Sequence, residues 1–365
     1  MQFSELRLQP KQDPLLSSFI ACSINYDPMK KVIFLLLTLT YTFAQGQNQS
    51  DGMTLLANWN PDSLPAHSNG QKYTDLWGYT DCSSNEYAIL GSFKGVHFFN
   101  INDPANISEV EYFPGGDSTN WRDIKTYKDR AYAVSDNAEE GLMIFDLSDL
   151  PNSVNKVYHS DTLFLMAHNI FLDEPNDRLY VVGAANADIM IYDLRNNPDH
   201  PQLLAELTLP GGYVHDIYVR DHIAYCSHLA LGMNVYDFSD PSNPITLGSM
   251  PFYPGKIFNH SSWLTEDGQR LVFCDEKRNT TVKIIDVSDP TDMEVLPKNE
   301  FKSTLLAPDF VNSIAHNPYV RDDYVVVSYY HDGIQIFDIS DPDTCLLYTS
   351  PSPRDRTRSR MPSSA

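Results

Sequence analysis

Basic residues are scarce in this chain. It carries 26 Lys and Arg against 48 Asp and Glu, a net charge of −22 over 365 residues. Nucleic acid and anionic membrane are polyanions and are poor partners for such a surface; cations, or basic and neutral polymers, fit better. Cysteine is sparse too, at five. Cys22 and Cys345 fall in end segments set aside below, and the remaining Cys82, Cys226 and Cys274 are odd in number and show no CxxC spacing, which excludes a disulfide scaffold. Cys226 in IAYCS and Cys274 in RLVFCD hold the same place in successive repeats and read as buried free thiols. The apolar run Val32 to Leu39 is too short to span a membrane as a mature anchor. There is no G-x-S-x-G, H-E-x-x-H, phosphate loop or EF-hand run. The common hydrolase, metalloprotease, nucleotide and calcium signatures are therefore missing.

What the chain does have is a repeat. GVHFFNINDP, GLMIFDLSDL, DIMIYDLRNN, GMNVYDFSDP, TVKIIDVSDP and GIQIFDISDP start at Gly95, Gly141, Asp188, Gly232, Thr281 and Gly333. Steps of 44 to 52 residues are the period of a four-stranded propeller blade. Within the third unit, HNIFL from His168 reads as the inner strand, RLYVV as the second, DIMIYD as the third and LLAEL as the outer strand. The third strands are apolar on both faces, as expected where blades stack around an axis. The acid that closes each of them (Asp146, Asp193, Asp237, Asp286 and Asp338, with Asn100 in the first) reads as support for the following turn rather than as a metal ligand.

The ends stand apart. Residues 29–44, MKKVIFLLLTLTYTFA, have the basic start, apolar run and small final residue of a secretory signal peptide. Residues 1–28 precede that signal and read as a mis-called upstream extension. Residues 45–344 hold the propeller. From Cys345 the chain resembles the translation of a sequencing adapter, so residues 345–365 are expected to be disordered and the propeller incomplete at its C-terminus. Thr54 to Trp59, TLLANW, reads as an outer strand lacking its inner three. The expectation is therefore an all-β, seven-bladed propeller with its last blade truncated.

The segments TDLWGY, EYAILGS, AHNIFLD, VHDIYVR, NHSSWLTEDG and SYYHDGIQIFDISDP together resemble the LVIVD-repeat propellers of the choice-of-anchor B family, from about Met53 to Asp343. That resemblance implies a secreted or surface-attached protein, in the extracellular space or the outer envelope of a bacterium, held by a C-terminal anchor. It supplies no catalytic residues.

Candidate functional residues lie where the inner strands begin. The repeat aligns Thr74, Arg122, His168, His215, His260 and His316, each followed by Asp75, Asp123, Asn169, Asp216, Ser261 and Asn317. Inner strands line the propeller axis, so His168, His215, His260 and His316, with Arg122, Asp123 and Asp216, form the candidate ligand-binding set, and the four histidines the candidate set for a divalent metal. Hydrogen bonds that merely lock each blade explain the same repetition. Loops on that face add Asp136, Glu139, Glu140, Asp275, Glu276, His331 and Asp332, and so an acidic, His-bearing surface. Two functions remain open. One is a non-catalytic module recognising an extracellular protein or glycan through this face; the other is a metal-dependent, hydrolase-like enzyme using the channel histidines.

Overall fold

The computed structural model describes residues 54–255, 257–302 and 313–341, with the backbone of 346–349. Residues 1–44, read above as an upstream extension and a signal peptide, and the tail after 349 lie outside the described residues. Six four-stranded antiparallel sheets follow one another, each built in chain order from an inner to an outer strand. Blade 1 comprises β1 (Tyr73–Thr80), β2 (Glu86–Ser92), β3 (Gly95–Asn100) and β4 (Ser108–Pro114). Blade 2 comprises β5 (Trp121–Tyr127), β6 (Arg130–Asp136), β7 (Leu142–Asp146) and β8 (Asn155–Ser160). Blade 3 has β9 (Asn169–Asp173), β10 (Arg178–Val182), β11 (Ile189–Asp193) and β12 (Gln202–Leu207). Blade 4 has β13 (Asp216–Arg220), β14 (Ile223–Ser227), β15 (Met233–Asp237) and β16 (Ile245–Met250). In blade 5 come β17 (Asn259–Leu264), β18 (Arg270–Asp275), β19 (Val282–Asp286) and β20 (Glu300–Phe301), and in blade 6 β21 (Ala315–Arg321), β22 (Tyr324–Tyr329), β23 (Gly333–Asp338) and β24 (Leu346–Thr349). The chain is thus an all-β propeller, and its third strands are the six repeated decapeptides.

The turn reading of the repeated acid is met in every blade. The side chains of Asn100, Asp146, Asp193, Asp237, Asp286 and Asp338 each accept the amide N–H two residues on, at 2.7–3.0 Å. This local bond steers the chain out of the third strand toward the outer one.

The blade count corrects the expectation: among the described residues there are six blades, not seven. Thr54 to Trp59 forms no strand. Its short apolar stretch ahead of the first blade read as an outer strand, but Trp59 instead packs edge-on against His97 and Phe99 of β3, with ring centroids 5.0 and 4.8 Å away, and its carbonyl accepts from the Tyr73 hydroxyl at 2.9 Å. A large aromatic side chain can be buried this way without joining a hydrogen-bond ladder. The disorder expected from residue 345 onward is corrected for 346–349, which form β24 and pair Leu346, Leu347 and Thr349 with Asp338, Phe337 and Ile336. An edge such as that of β23 presents unpaired backbone groups that a following segment can satisfy.

Apolar clusters seal five successive blade junctions. Val96 and Ile124 meet between blades 1 and 2, Leu142 and Ile170 between 2 and 3, and Ile189 and Ile217 between 3 and 4. Met233 packs with Leu264 between blades 4 and 5, and Val282 with Val320 between 5 and 6. Cys226 and Cys274 are free and buried in equivalent second strands, as their repeat position suggested.

Candidate functional site

Successive positions of the six inner strands stack into layers along the axis. The uppermost layer is the histidine position. His168 and His215 have ring centroids 4.2 Å apart, His215 and His260 4.3 Å, and His260 and His316 4.3 Å, so the four imidazoles stand in a row around the mouth rather than converging on one point. The backbone of His260 lies beside the His215 ring, and that of His316 beside the His260 ring. Burial pushes the pKa values of His215 and His260 well below the usual imidazole range, and neighbouring imidazoles lower them further. Burial and His168 bring His316 to about 4. Near neutral pH these three rings are uncharged and keep lone pairs to offer. Among the buried side-chain atoms without a hydrogen-bond partner are Nδ1 of His215 and Nδ1 of His260.

Carboxylates meet the row at both ends. Asp136 Oδ2, closing β6, lies 2.8 Å from His168 Nδ1. Glu276, just after β18, holds Oε2 3.7 Å from His260 Nε2 while its Oε1 accepts from the Tyr330 hydroxyl. Burial raises the Glu276 pKa. Ligand atoms of His260, Glu276 and His316 lie within 4.8 Å of one another; His168 and His215 join no such group among the described residues.

Blades 1 and 2 fill the same layer differently. Arg122 is buried, pairs through Nη1 and Nη2 with both carboxylate oxygens of Glu140, and donates from Nε to the Ser92 carbonyl at 3.0 Å. Gly115 makes this possible, because any Cβ there would collide with Glu140 and Arg122. Arg122 is therefore committed within the fold. Two acids expected on the open face are not there. Glu140 is buried against Arg122, and Asp275 is buried against Lys283 Nζ at 2.7 Å and the Tyr253 hydroxyl at 2.5 Å. A loop position reveals nothing of a cation lying beneath it.

One residue along lies an acid layer. Asp75 and Asp123 accept the amides of Ile124 and Ile170 from the following blade, both at 2.8 Å, which ties neighbouring inner strands together. Lys125 Nζ sits 2.5 Å from Asp123 Oδ1 and is the cation these carboxylates share. Burial, with Asp123 nearby, raises the pKa of Asp216 to about 8, and burial raises that of Asp75 to about 6. Asp123 and Asp216 thus lie below the histidines, packed into the fold rather than facing the mouth.

Three residues along, roughly 10 Å deeper at a strand's rise per residue, comes an aromatic layer. Trp263 stands 4.6 Å from Tyr319, 5.0 Å from Tyr218, 6.2 Å from Phe171 and 6.4 Å from Trp77 between ring centroids. Lys125 completes the layer, its ammonium 4.7 Å from the Trp77 ring. Among the described residues, rings from blades 1, 3, 4, 5 and 6 thus approach one another across the axis.

Beside the mouth lies a cleft of about 380 Å³, lined by Asp136, Asn186, Asp188, Thr208 and Tyr213 together with the small residues of the β10–β11 loop. Gly183 has a φ of +69°, and a Cβ there would strike His168, so glycine lets this loop pass close beside the first imidazole. Tyr213 and Tyr330 were not singled out in the sequence; the only available signal was their place one turn from an inner-strand histidine or second-strand end.

No protein-family profile matches the chain, and no protein of curated function matches it. Solved structures do resemble it. The periplasmic gluconolactonase PpgL of Pseudomonas aeruginosa aligns with TM-score 0.56 and 12% identity, covering 79% of this chain and 88% of that one. The Swd1 β-propeller domain of Myceliophteria thermophila aligns with TM-score 0.52 and 11% identity, over 76% and 86% of the two chains. A computationally designed protein, Ika8, aligns with TM-score 0.51 and 12% identity, over 77% and 75%. At such identities the likeness establishes the β-propeller fold.

Proposed function

We propose that this chain is a secreted or surface-attached recognition module of the LVIVD-repeat, choice-of-anchor B type, and that it takes a glycan on its histidine-bearing face. The observation that carries the reading is the 380 Å³ cleft at the mouth. Its lining combines two carboxylates, an amide and a hydroxyl with the half-exposed ring of Tyr213, the mixture that hydrogen-bonds sugar hydroxyls while an aromatic face covers the ring. The acid-rich chain disfavours anionic sugars, so neutral or amino sugars fit best. The His168–Asp136 pair fixes the imidazole at the cleft's edge.

Screening neutral, amino and acidic oligosaccharides by titration calorimetry tests this. A neutral or amino sugar should bind, and Tyr213→Ala should weaken it about tenfold or more, the loss of one stacked ring. Absence of any sugar binding, or unchanged affinity in that variant, overturns the reading.

A second reading, a metal-dependent hydrolase, draws on the grouping of His260, Glu276 and His316. A gluconolactonase shares the fold, which makes lactone hydrolysis in the presence of zinc the direct assay.

A further inference from the structure

Glu276 and its two imidazole neighbours form a contact that hydrogen bonding does not explain. The 3.7 Å between His260 Nε2 and Glu276 Oε2 is too long for a hydrogen bond. It is close to the roughly 3.4 Å that separates two ligands on one tetrahedral zinc ion with bonds of about 2.0–2.1 Å. His316 supplies a third ligand atom within 4.8 Å of the other two. The His260 ring is buried, and Nε2 is the nitrogen it turns toward the Glu276 carboxylate. Glu276 is also held in place: the Tyr330 hydroxyl donates to Oε1, which leaves Oε2 turned to the imidazoles. An orienting hydrogen bond of this kind is what a metal-binding carboxylate usually receives.

We propose that His260, Glu276 and His316 bind one zinc-type divalent ion, with Tyr330 orienting the carboxylate. Two imidazole nitrogens and one carboxylate oxygen are a borderline donor set, matched to zinc rather than to calcium or magnesium. Three protein ligands leave the fourth zinc position for water or a ligand atom. His168 and His215, although in the same row, take no part. The site goes beyond the recognition reading, since it would stand if no sugar bound the cleft, and it requires no catalysis.

The test is zinc titration of the tag-free full chain, with metal content of the dialysed protein measured by mass spectrometry. One equivalent should bind. The near-isosteric Glu276→Gln and the His316→Ala variant should lose stoichiometric uptake, Tyr330→Phe should weaken it about tenfold, and His168→Ala should leave it intact. Cobalt added to the unaltered protein should give the visible bands of tetrahedral coordination, a readout that does not depend on any variant folding. Zinc uptake well below one equivalent, absence of the cobalt bands, or equal loss in His168→Ala and His316→Ala overturns the site. Sugar affinity measured in Glu276→Gln separates the two proposals: that variant should lose zinc while keeping its sugar affinity, and failure of sugar binding in the unaltered protein would leave its zinc uptake unchanged.

Discussion

Five of the blade junctions and the seam between blades 6 and 1 are built from the same repeat but are packed very differently. Ile124, Ile170 and Ile217 occupy one inner-strand position and are at most 1% exposed, each pressed against the preceding blade. Leu76, at that position in blade 1, is 60% exposed. The second residue of each repeated decapeptide behaves in the same way. Val96, Leu142, Ile189, Met233 and Val282 face the following blade and are fully buried, whereas Ile334 is 43% exposed. Among the described residues, ring contact between Trp77 and Tyr319, 6.5 Å apart, joins the two seam blades. The repeat therefore writes an apolar face on both sides of every blade, and burial follows from having a neighbour rather than from the residue type.

This contrast makes its largest prediction for paired truncations. Ile217→Ala opens a cavity at a sealed junction and should cost about 2–5 kcal/mol, while Leu76→Ala removes a side chain already largely in water and should cost well under 1 kcal/mol. Urea unfolding of both variants checks it; equal losses would erase the distinction.

A pH series sharpens the comparison from inside the ring. Asp216 lies at the sealed junctions and Asp75 in the blade bordering the seam, with folded-state pKa values of about 8 and about 6. Both exceed the unfolded value near 3.9, so each carboxyl's contribution to stability is fully present below pH 4 and is lost as pH rises through its folded pKa. Asp216→Asn, which stays neutral, should therefore gain on the unaltered protein as pH rises from 4 to 8, by on the order of 5 kcal/mol, with Asp75→Asn gaining about half as much and levelling off near pH 6. Melting curves at pH 4, 6 and 8 measure both; a gain that grows toward acid pH would reverse the assignment. Asp123 and Lys125 face these groups and remain in all variants.

The smallest effect is expected at the seam's other face. Ile334→Lys places a charge where a chain can already reach water and should shift stability by less than about 0.5 kcal/mol. The matching Val282→Lys should prevent folding, since it buries an unpaired ammonium. Soluble expression and circular dichroism distinguish them.

Much of this architecture was legible because it repeats. Six decapeptides marked six third strands, and the residue closing each one, an aspartate in all but the first, announced its turn bond. The histidine row was legible for the same reason, since one repeat position is one height along the axis. What failed was local. TLLANW is short and apolar like an outer strand, but Trp59 found its apolar contact on the side of β3, and apolar content alone cannot choose between a ladder and a packed ring. Glu140 and Asp275 sit in loops like surface acids, and the cations that bury them, Arg122 and Lys283, come from elsewhere in their blades. The partnership of Glu276 with His260 and His316 crosses a junction between two repeats, where an alignment of repeats has nothing to say.

The aromatic layer beneath the histidines has a bearing on traffic. With Trp263 close to four other rings across the axis, the passage below the mouth is lined by aromatic faces. Anything passing from face to face would have to move past these rings, whereas a chain end or side branch could occupy the mouth without disturbing them.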